Sequence, residues 1–220
     1  MLESKGTILY IYMLIFDIGA NIGRYSLTYA VNPQNTIISV EASPNTYNIL
    51  KINMSAFTNV TALEYAVCNS KDPYITFYNC QSDTLSTLDI NWLSSSDSRF
   101  GDHVGKFSPI QVKTITLDLL IEKYGVPDLL KIDVEGAEEQ VIRSLSKKVP
   151  ILLFEWAAEW KDSLKMAIDH LTSLGFTKFH VQVKDEYSYY PLDFELTSDE
   201  CKKCLDTSIN KVDWGMIWAK

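Results

Sequence analysis

The chain has 220 residues, of which 46% are hydrophobic, and this size suits a single domain with a substantial core. Its net charge of −8 disfavours a nucleic-acid partner, because such a partner requires basic side chains opposite its phosphates. The apolar segment 7–16 is too short to span a bilayer and runs into Asp17 without a small-residue cleavage site. We therefore expect one cytoplasmic domain over residues 1–220, without a membrane span.

Four cysteines occur in the sequence, namely Cys68, Cys80, Cys201 and Cys204. The last two form a C-x-x-C pair, which offers only two zinc ligands, and no second pair or histidine pair lies near it. Reduced thiols on a surface turn or helix are the favoured interpretation.

The first predicted strand, residues 10–17, ends in an acid and leads into the glycine-containing turn D-I-G-A-N-I-G. Glycines at such a turn let the backbone approach a ligand, and a following helix directs free N–H groups at it. Asn21 lies where a dinucleotide-binding turn has its second glycine, so a nicotinamide-dependent dehydrogenase is disfavoured. A ligand with a cationic amino-acid end, such as S-adenosylmethionine, suits the turn better. Taken alone, the motif is equally compatible with an ordinary strand–turn–helix.

Strands and helices alternate along the rest of the chain, which predicts a parallel sheet with helices on both faces. The further predicted strands cover residues 36–41, 60–67, 74–78, 110–115, 129–134, 151–156, 177–184 and 212–219. The predicted helices cover residues 22–31, 44–56, 117–124, 136–145 and 161–174. The last two strands have no clear crossover helix between them, so we expect them to be antiparallel.

Residues 79–108 are rich in Ser and Asp, poor in aliphatic side chains, and contain two glycines. A loop of this length in a compact domain is usually a functional lid or a disordered segment. We predict a lid over a binding site.

Acids lie at the carboxyl ends of four of the predicted parallel strands, and ligands in such sheets bind beyond those strand ends. They are Asp17, Glu41, the pair Asp133 and Glu135, and Glu155. Glu41 follows Gly19 by 22 positions, a spacing that suits a carboxylate accepting hydrogen bonds from both ribose hydroxyls. A single acid of this kind is often only a helix cap, but four such strand ends indicate a solvated or ligand-bound cluster.

Lys131, Asp133 and Glu135 alternate along one strand and are therefore predicted to face the same side of the sheet. Lys131 either offsets part of the negative field of the acids or forms a salt bridge on a partly exposed face.

The segments F-D-I-G-A-N-I-G, V-E-A-S-P, T-L-D-L-L, D-L-L-K-I-D-V-E-G-A-E and I-L-L-F-E occur in this order over residues 14–155. In these segments the chain resembles the FkbM-type methyltransferases. That resemblance implies a Rossmann-like class I methyltransferase sandwich, with a mostly parallel seven-stranded sheet and an antiparallel last strand. It also implies an S-adenosylmethionine-dependent enzyme that O-methylates a hydroxyl, most often on a sugar, a glycan or a natural product.

The resemblance further implies which residues contact the cofactor. The set is Asp17, Gly19, Ala20, Asn21, Gly23, Glu41, Ala42, Ser43, Ala66, Val67 and Asp133. In this assignment Asp17 lies close to the ammonium of the methionine part and Glu41 holds the ribose. Ala66 and Val67 flank the adenine, and Asp133 lies between cofactor and acceptor.

Methyl transfer to a hydroxyl requires positioning of the acceptor and removal of a proton. The candidates for this catalytic role are Asp133, Glu135, Glu155 and His103. The three carboxylates could instead bind Mg²⁺, and the sequence does not distinguish these roles. Two alternatives also stay open: a non-catalytic module that binds an adenosyl ligand, and a methyltransferase acting on a non-sugar small molecule.

Overall fold

The computed structural model describes residues 12–80, 86–90, 106–184, 186–187, 189–191, 193–207 and 214–220. The strands are β1 (Leu14–Ile18), β2 (Thr36–Glu41), β3 (Val60–Glu64), β4 (Ala66–Val67), β5 (Tyr74–Cys80), β6 (Phe107–Ile115), β7 (Leu129–Ile132), β8 (Ile151–Ala157), β9 (Phe179–Val183) and β10 (Trp214–Ala219). The α-helices are α1 (Arg24–Ala30), α2 (Pro44–Met54), α3 (Leu117–Tyr124), α4 (Glu138–Ile142), α5 (Lys161–Ser173) and α6 (Ser198–Thr207).

Seven strands form the main sheet in the order β3-β2-β1-β7-β8-β10-β9. The neighbouring pairs β3–β2, β2–β1, β1–β7 and β7–β8 are parallel, whereas β10 runs antiparallel to both β8 and β9. The predicted mostly parallel sheet with an antiparallel last strand is therefore confirmed. The strand order reverses beside β1, and this reversal opens a crevice at the carboxyl ends of the strands.

Helices cover both faces of the sheet. Successive strand residues point to opposite sides, so both faces carry apolar side chains that the helices bury. On β1, Phe16 packs in the cluster that contains Leu120 of α3 and Leu164 of α5. The neighbouring Ile15 packs on the other face, in the cluster that contains Tyr25 of α1. β1 is thus buried from both sides, as its continuous apolar sequence predicts.

A second, three-stranded sheet has the order β4-β6-β5. The prediction of one strand over residues 60–67 was wrong, because the chain leaves the main sheet at Tyr65. Ala66 and Val67 pair instead with Thr114 and Ile115 of β6. β5 and β6 form an antiparallel pair, so the predicted lid segment connects two strands of this small sheet.

Most of the predicted lid, with His103, lies outside the described residues, and the lid stays a prediction. Residues 86–90 are described, and Thr87 exchanges backbone hydrogen bonds with Tyr78 at 2.9 and 3.2 Å. This part of the segment therefore lies against β5.

The absence of a helix between the last two strands was wrongly predicted, because α6 lies there. Its sequence signal is a capping box, in which Thr197 and Glu200 stand three residues apart. The Glu200 carboxylate accepts from the Thr197 N–H at 2.8 Å, and the Thr197 hydroxyl accepts from the Glu200 N–H at 3.3 Å. The cysteines are free thiols, and Cys201 is fully buried rather than at the surface. Burial raises the pKa of Cys201 to about 12, which makes it a poor nucleophile.

Within the described part of the chain, none of the helices has the length and apolar character required to cross a membrane.

The ends of β1 and β7 approach one another very closely at Gly19. This residue has a φ of +73°, and a Cβ built on it would lie 1.7 Å from the carbonyl oxygen of Asp133. The Asp133 N–H donates to the Ile18 carbonyl at 3.0 Å, and the N–H groups of Gly19 and Ala20 both donate to Val40 at 2.9 Å. The turn after β1 is thus held between β2 and β7.

We expect Gly19→Ala to destabilise the protein more than Gly175→Ala. Both glycines have positive φ, but a Cβ at Gly175 meets its nearest atom only at 4.0 Å. Gly175→Ala therefore measures the cost of the backbone strain alone. Gly19→Ala should lower the free energy of unfolding by about 1–3 kcal/mol more than this control, because its Cβ also overlaps with the Asp133 carbonyl. Urea unfolding of the two variants measures this difference, and equal losses would contradict the close approach.

Candidate active site

A cavity of about 470 Å³ opens at the carboxyl ends of β1, β2, β7 and β8. This is the place where ligands bind in open α/β sheets, and the volume suits a small ligand. Seven of the predicted cofactor residues form one part of its wall. They are Gly19, Ala20, Asn21, Glu41, Ala42, Ala66 and Val67.

Glu41 ends β2 and places a carboxylate in the cavity wall. It is 8% exposed, and its two oxygens accept from the Asn21 N–H at 2.9 Å and the Ser43 N–H at 2.8 Å. Burial raises the pKa of Glu41, while the hydrogen bonds from Ser43 and Asn21 oppose this shift. Because a carboxylate offers about four acceptor positions, both oxygens can still accept from a ligand.

Three predicted cofactor residues are not among the described residues that line the cavity. They are Asp17, Gly23 and Ser43. Asp17 is fully buried and accepts from the Ser26 hydroxyl at 2.6 Å. Gly23 immediately precedes α1 and has a φ of +93°, and a Cβ there would lie 2.8 Å from the side chain of Met54 on α2. Gly23 thus permits close packing of α1 on α2. Direct contact of these three residues with a cofactor stays a prediction.

Three of the four predicted catalytic residues meet on the other part of the wall. Asp133, Glu135 and Glu155 each present a carboxylate oxygen, and these atoms lie within 4.8 Å of one another. Asp133 and Glu135 belong to the turn after β7, and the buried Glu155 lies on β8. The sequence therefore predicted this acidic cluster correctly as a set of neighbours.

The turn that carries Asp133 and Glu135 is fixed by contacts that the sequence analysis missed. Glu135 has a φ of +55°, unusual for a residue with a side chain. The buried Glu138 accepts from the Val134 N–H at 2.9 Å and the Gly136 N–H at 3.1 Å. The Thr87 hydroxyl donates to the Glu135 carbonyl at 2.6 Å. Glu138 could have been identified in the sequence as an acid just after a glycine turn, where its carboxylate can accept from free backbone N–H groups.

Lys131 is buried, with 3% of its surface exposed, and lies beside the acidic cluster. Its Nζ is 3.2 Å from an oxygen of Asp17 and 3.2 Å from an oxygen of Asp133. The predicted salt bridge is therefore present, but it is buried rather than on a partly exposed face.

Aromatic side chains complete the wall near the acids. Tyr25 of α1 and Tyr187 lie edge to face with ring centres 6.1 Å apart, and Trp214 begins β10. These residues come from distant parts of the sequence. Their assembly depends on the tertiary fold, so no local motif could have identified them.

The sheet order, the antiparallel last strand and the crevice define a Rossmann-like class I methyltransferase fold. A family model described as "Methyltransferase FkbM domain" matches residues 17–178. The chain belongs to the FkbM methyltransferase family, and the resemblance seen in the sequence is confirmed.

The chain is 32% identical to the protein named methyltransferase sdnD of Sordaria araneosa, over 61% of this chain and 61% of that protein. The match thus spans less than two thirds of the relative's length.

Among solved structures, the chain is similar to a precorrin-6y C5,15-methyltransferase of Geobacter metallireducens, with a TM-score of 0.47 and 14% identity over 94% of this chain and 80% of that one. It is also similar to Aeropyrum pernix fibrillarin with bound S-adenosyl-L-methionine, with a TM-score of 0.48 and 15% identity over 94% of this chain and 66% of that one. At these scores the similarity carries no functional argument.

The burial of Glu138 predicts a pH dependence of stability. Burial raises the pKa of Glu138 from an ordinary 4.5 to about 8, although backbone hydrogen bonds from Val134 oppose the shift. Between these values the folded protein holds a proton that the unfolded chain has released, so stability is present below the lower pKa and is lost as pH rises through the higher one. One such group contributes a slope of up to about 1.4 kcal/mol per pH unit.

Glu138→Gln cannot titrate and should flatten this loss, measured by urea unfolding at several pH values. The control Glu139→Gln changes a neighbouring acid that pairs with Arg143 and should keep the wild-type slope. An unchanged slope in Glu138→Gln would contradict the assignment.

Proposed function

We propose that the protein is an S-adenosylmethionine-dependent O-methyltransferase whose acceptor is a hydroxyl on a sugar or glycan. The observation that carries this proposal is one cavity with two distinct parts. The Gly19–Asn21 turn and Glu41 form one part, and the cluster of Asp133, Glu135 and Glu155 forms the other.

The chemistry of the first part fits S-adenosylmethionine. Glu41 is a buried carboxylate with spare acceptor positions, as the two ribose hydroxyls require. The turn of Gly19 brings backbone rather than side chain to the cavity, which leaves room for the methionine end. Buried Ala66 and Val67 offer apolar surface for a base.

S-adenosylmethionine supplies an activated methyl group when bound, so the protein has to orient the acceptor oxygen and accept its proton. Orientation alone can supply on the order of 7–11 kcal/mol of the barrier. Carboxylates accept hydrogen bonds from hydroxyls and can act as general bases. Asp133 is the leading candidate because β7, which precedes it, pairs directly with β1 and its cofactor turn.

The second part of the cavity favours a sugar over a phosphate-rich acceptor. Three carboxylates in one wall, in a chain of net charge −8, repel phosphate. Hydroxyl groups, by contrast, donate to carboxylates. The rings of Tyr25, Tyr187 and Trp214 offer apolar faces and edges against which a sugar ring can pack.

Glu41→Ala should weaken binding of S-adenosylhomocysteine by about 1.5–3 kcal/mol, the usual value of a hydrogen bond to a charged group. Isothermal titration calorimetry measures this affinity directly. Glu64→Ala is a matched control, because Glu64 is an exposed acid that pairs in register with Glu41 on the adjacent strand. Equal affinities of the two variants would contradict the placement of the ribose.

Asp133→Asn keeps the shape of the side chain but removes its charge and basicity. We expect turnover to fall by roughly 10²–10⁴-fold, the range of a general base, with a much smaller loss of S-adenosylhomocysteine affinity. Transfer of labelled methyl groups to a panel of glycans and small hydroxyl compounds identifies the acceptor and then measures turnover. The control Asp128→Asn alters an acid at the opposite end of β7 and should retain activity.

The same assay separates the remaining roles of the acids. If the carboxylates bind Mg²⁺, a chelator abolishes turnover and Asp133→Asn weakens metal binding. Full turnover of Asp133→Asn in the presence of chelator would contradict both roles. Binding of S-adenosylhomocysteine without transfer to any acceptor would favour a non-catalytic module.

A further inference from the structure

A row of polar side chains crosses the buried face of the main sheet beneath α1. Ser39, Asp17 and Lys131 occupy paired positions on β2, β1 and β7. Ser26 of α1 closes the row from above, with its hydroxyl 2.7 Å from the Ser39 hydroxyl and 2.6 Å from Asp17. Buried polar groups are costly unless they are satisfied, so this row has a specific purpose in the fold or the site.

The ammonium of Lys131 ends the row and makes three contacts with oxygens. Its Nζ lies 3.2 Å from Asp17 Oδ1, 3.2 Å from Asp133 Oδ2 and 2.9 Å from the Gly19 carbonyl oxygen. The contact with the Gly19 carbonyl is a hydrogen bond, and the contacts with the two carboxylates are ion pairs. The ring of Tyr25 lies 5.7 Å from the same nitrogen, within the range of a cation–π contact.

These contacts connect both parts of the cavity. The Gly19 carbonyl belongs to the turn proposed to hold the methionine end of the cofactor. Asp133 belongs to the cluster proposed to orient the acceptor, and its side chain keeps 24% of its exposure. Asp17 is fully buried and anchors the ammonium from below. An ion pair needed only to neutralise Asp17 would not require the other two contacts.

We propose that Lys131 is a positioning residue, which holds the carboxylate of Asp133 at a fixed position relative to the cofactor turn. This inference rests on the proposed function, because it assumes that the Gly19 turn and Asp133 serve cofactor and acceptor. Lys131 acts through its neighbours, and no step of methyl transfer is assigned to it.

The charges around Lys131 support a permanent cation at this position. Burial alone lowers the pKa of Lys131, but Asp133 and Asp17 outweigh that effect and the pKa is raised. Glu41, at the end of β2, also feels this charge, which opposes the burial-driven rise of its own pKa. The charged and titratable groups that face the ammonium are Asp17 of β1, Glu41 of β2, Tyr25 of α1 and Asp133 of the turn after β7. Without the cation, Glu41 would take up a proton more readily.

The test uses S-adenosylhomocysteine as the probe and calorimetry over a range of pH. Lys131→Met removes the cation and all three contacts, and Lys131→Gln keeps a hydrogen-bond donor without charge. Lys148→Met is the matched control: Lys148 Nζ also donates to a glycine carbonyl, that of Gly175 at 3.0 Å, and lies 5.4 Å from the Phe176 ring. Lys148 is exposed and is not among the described residues that line the cavity.

We expect Lys131→Met to bind S-adenosylhomocysteine about 10- to 100-fold more weakly than the wild type, as for a lost hydrogen bond to a charged group. Its affinity should also fall further as pH is lowered from about 8 to about 6, because Glu41, without the nearby cation, takes up a proton and loses the charge that accepts from the ribose. A purely structural role would lower the unfolding midpoint without changing the pH profile of binding. Where Lys131→Met does not fold, Lys131→Gln should show the same acquired pH dependence.

The possible outcomes separate this inference from the proposed function. If the wild type does not bind S-adenosylhomocysteine, the proposed function fails and the role of Lys131 fails with it. If the wild type binds, but the folded Lys131 variants match Lys148→Met in affinity and pH profile, the role of Lys131 is overturned while the proposed function stands.

Discussion

The architecture of the site depends on the close approach of two parallel strand ends, those of β1 and β7. Gly19 lacks a side chain at the point where its backbone meets the Asp133 carbonyl, and a Cβ there would lie 1.7 Å from that oxygen. Lys131 joins the same two segments through its ammonium group. Because these contacts leave little freedom between the strands, the turn after β1 and the acids after β7 form one rigid edge of the cavity. A cofactor and an acceptor bound there would be held in a fixed relation.

The acidic cluster has a cost in stability that the surrounding structure offsets. Carboxylates placed within 4.8 Å of one another repel unless they are solvated, paired or bound to a ligand. The turn that carries two of them also adopts positive φ at Glu135, which is unfavourable for a residue with a side chain. Glu138 and Thr87 fix this turn through hydrogen bonds to its backbone. Strain held in place by such contacts is typical of functional sites, where local preference yields to geometry.

Much of the fold could be predicted from the sequence, because its parallel strands are continuous apolar runs that end in acids. The same pattern placed Glu41 and three of the candidate catalytic acids in one cavity wall. Lys131 was harder to interpret, since a lysine is almost never fully buried unless it is paired, and its partners Asp17 and Asp133 are set by tertiary packing. The capping box at the start of α6 indicates a helix in the sequence, but the neighbouring strand patterns were given more weight. Tyr187 and Trp214 reach the cavity through long-range packing, which local patterns do not contain.

The proposed function depends above all on binding of the adenosyl cofactor in the cavity beside β1 and β2. The most direct measurement is a crystal structure of the protein with S-adenosylhomocysteine. We predict that the ribose hydroxyls bind the Glu41 carboxylate and that the amino-acid end lies on the Gly19–Asn21 turn, with the thioether facing Asp133. A ligand bound elsewhere, or a cavity without ligand in crystals grown at saturating concentration, would contradict it.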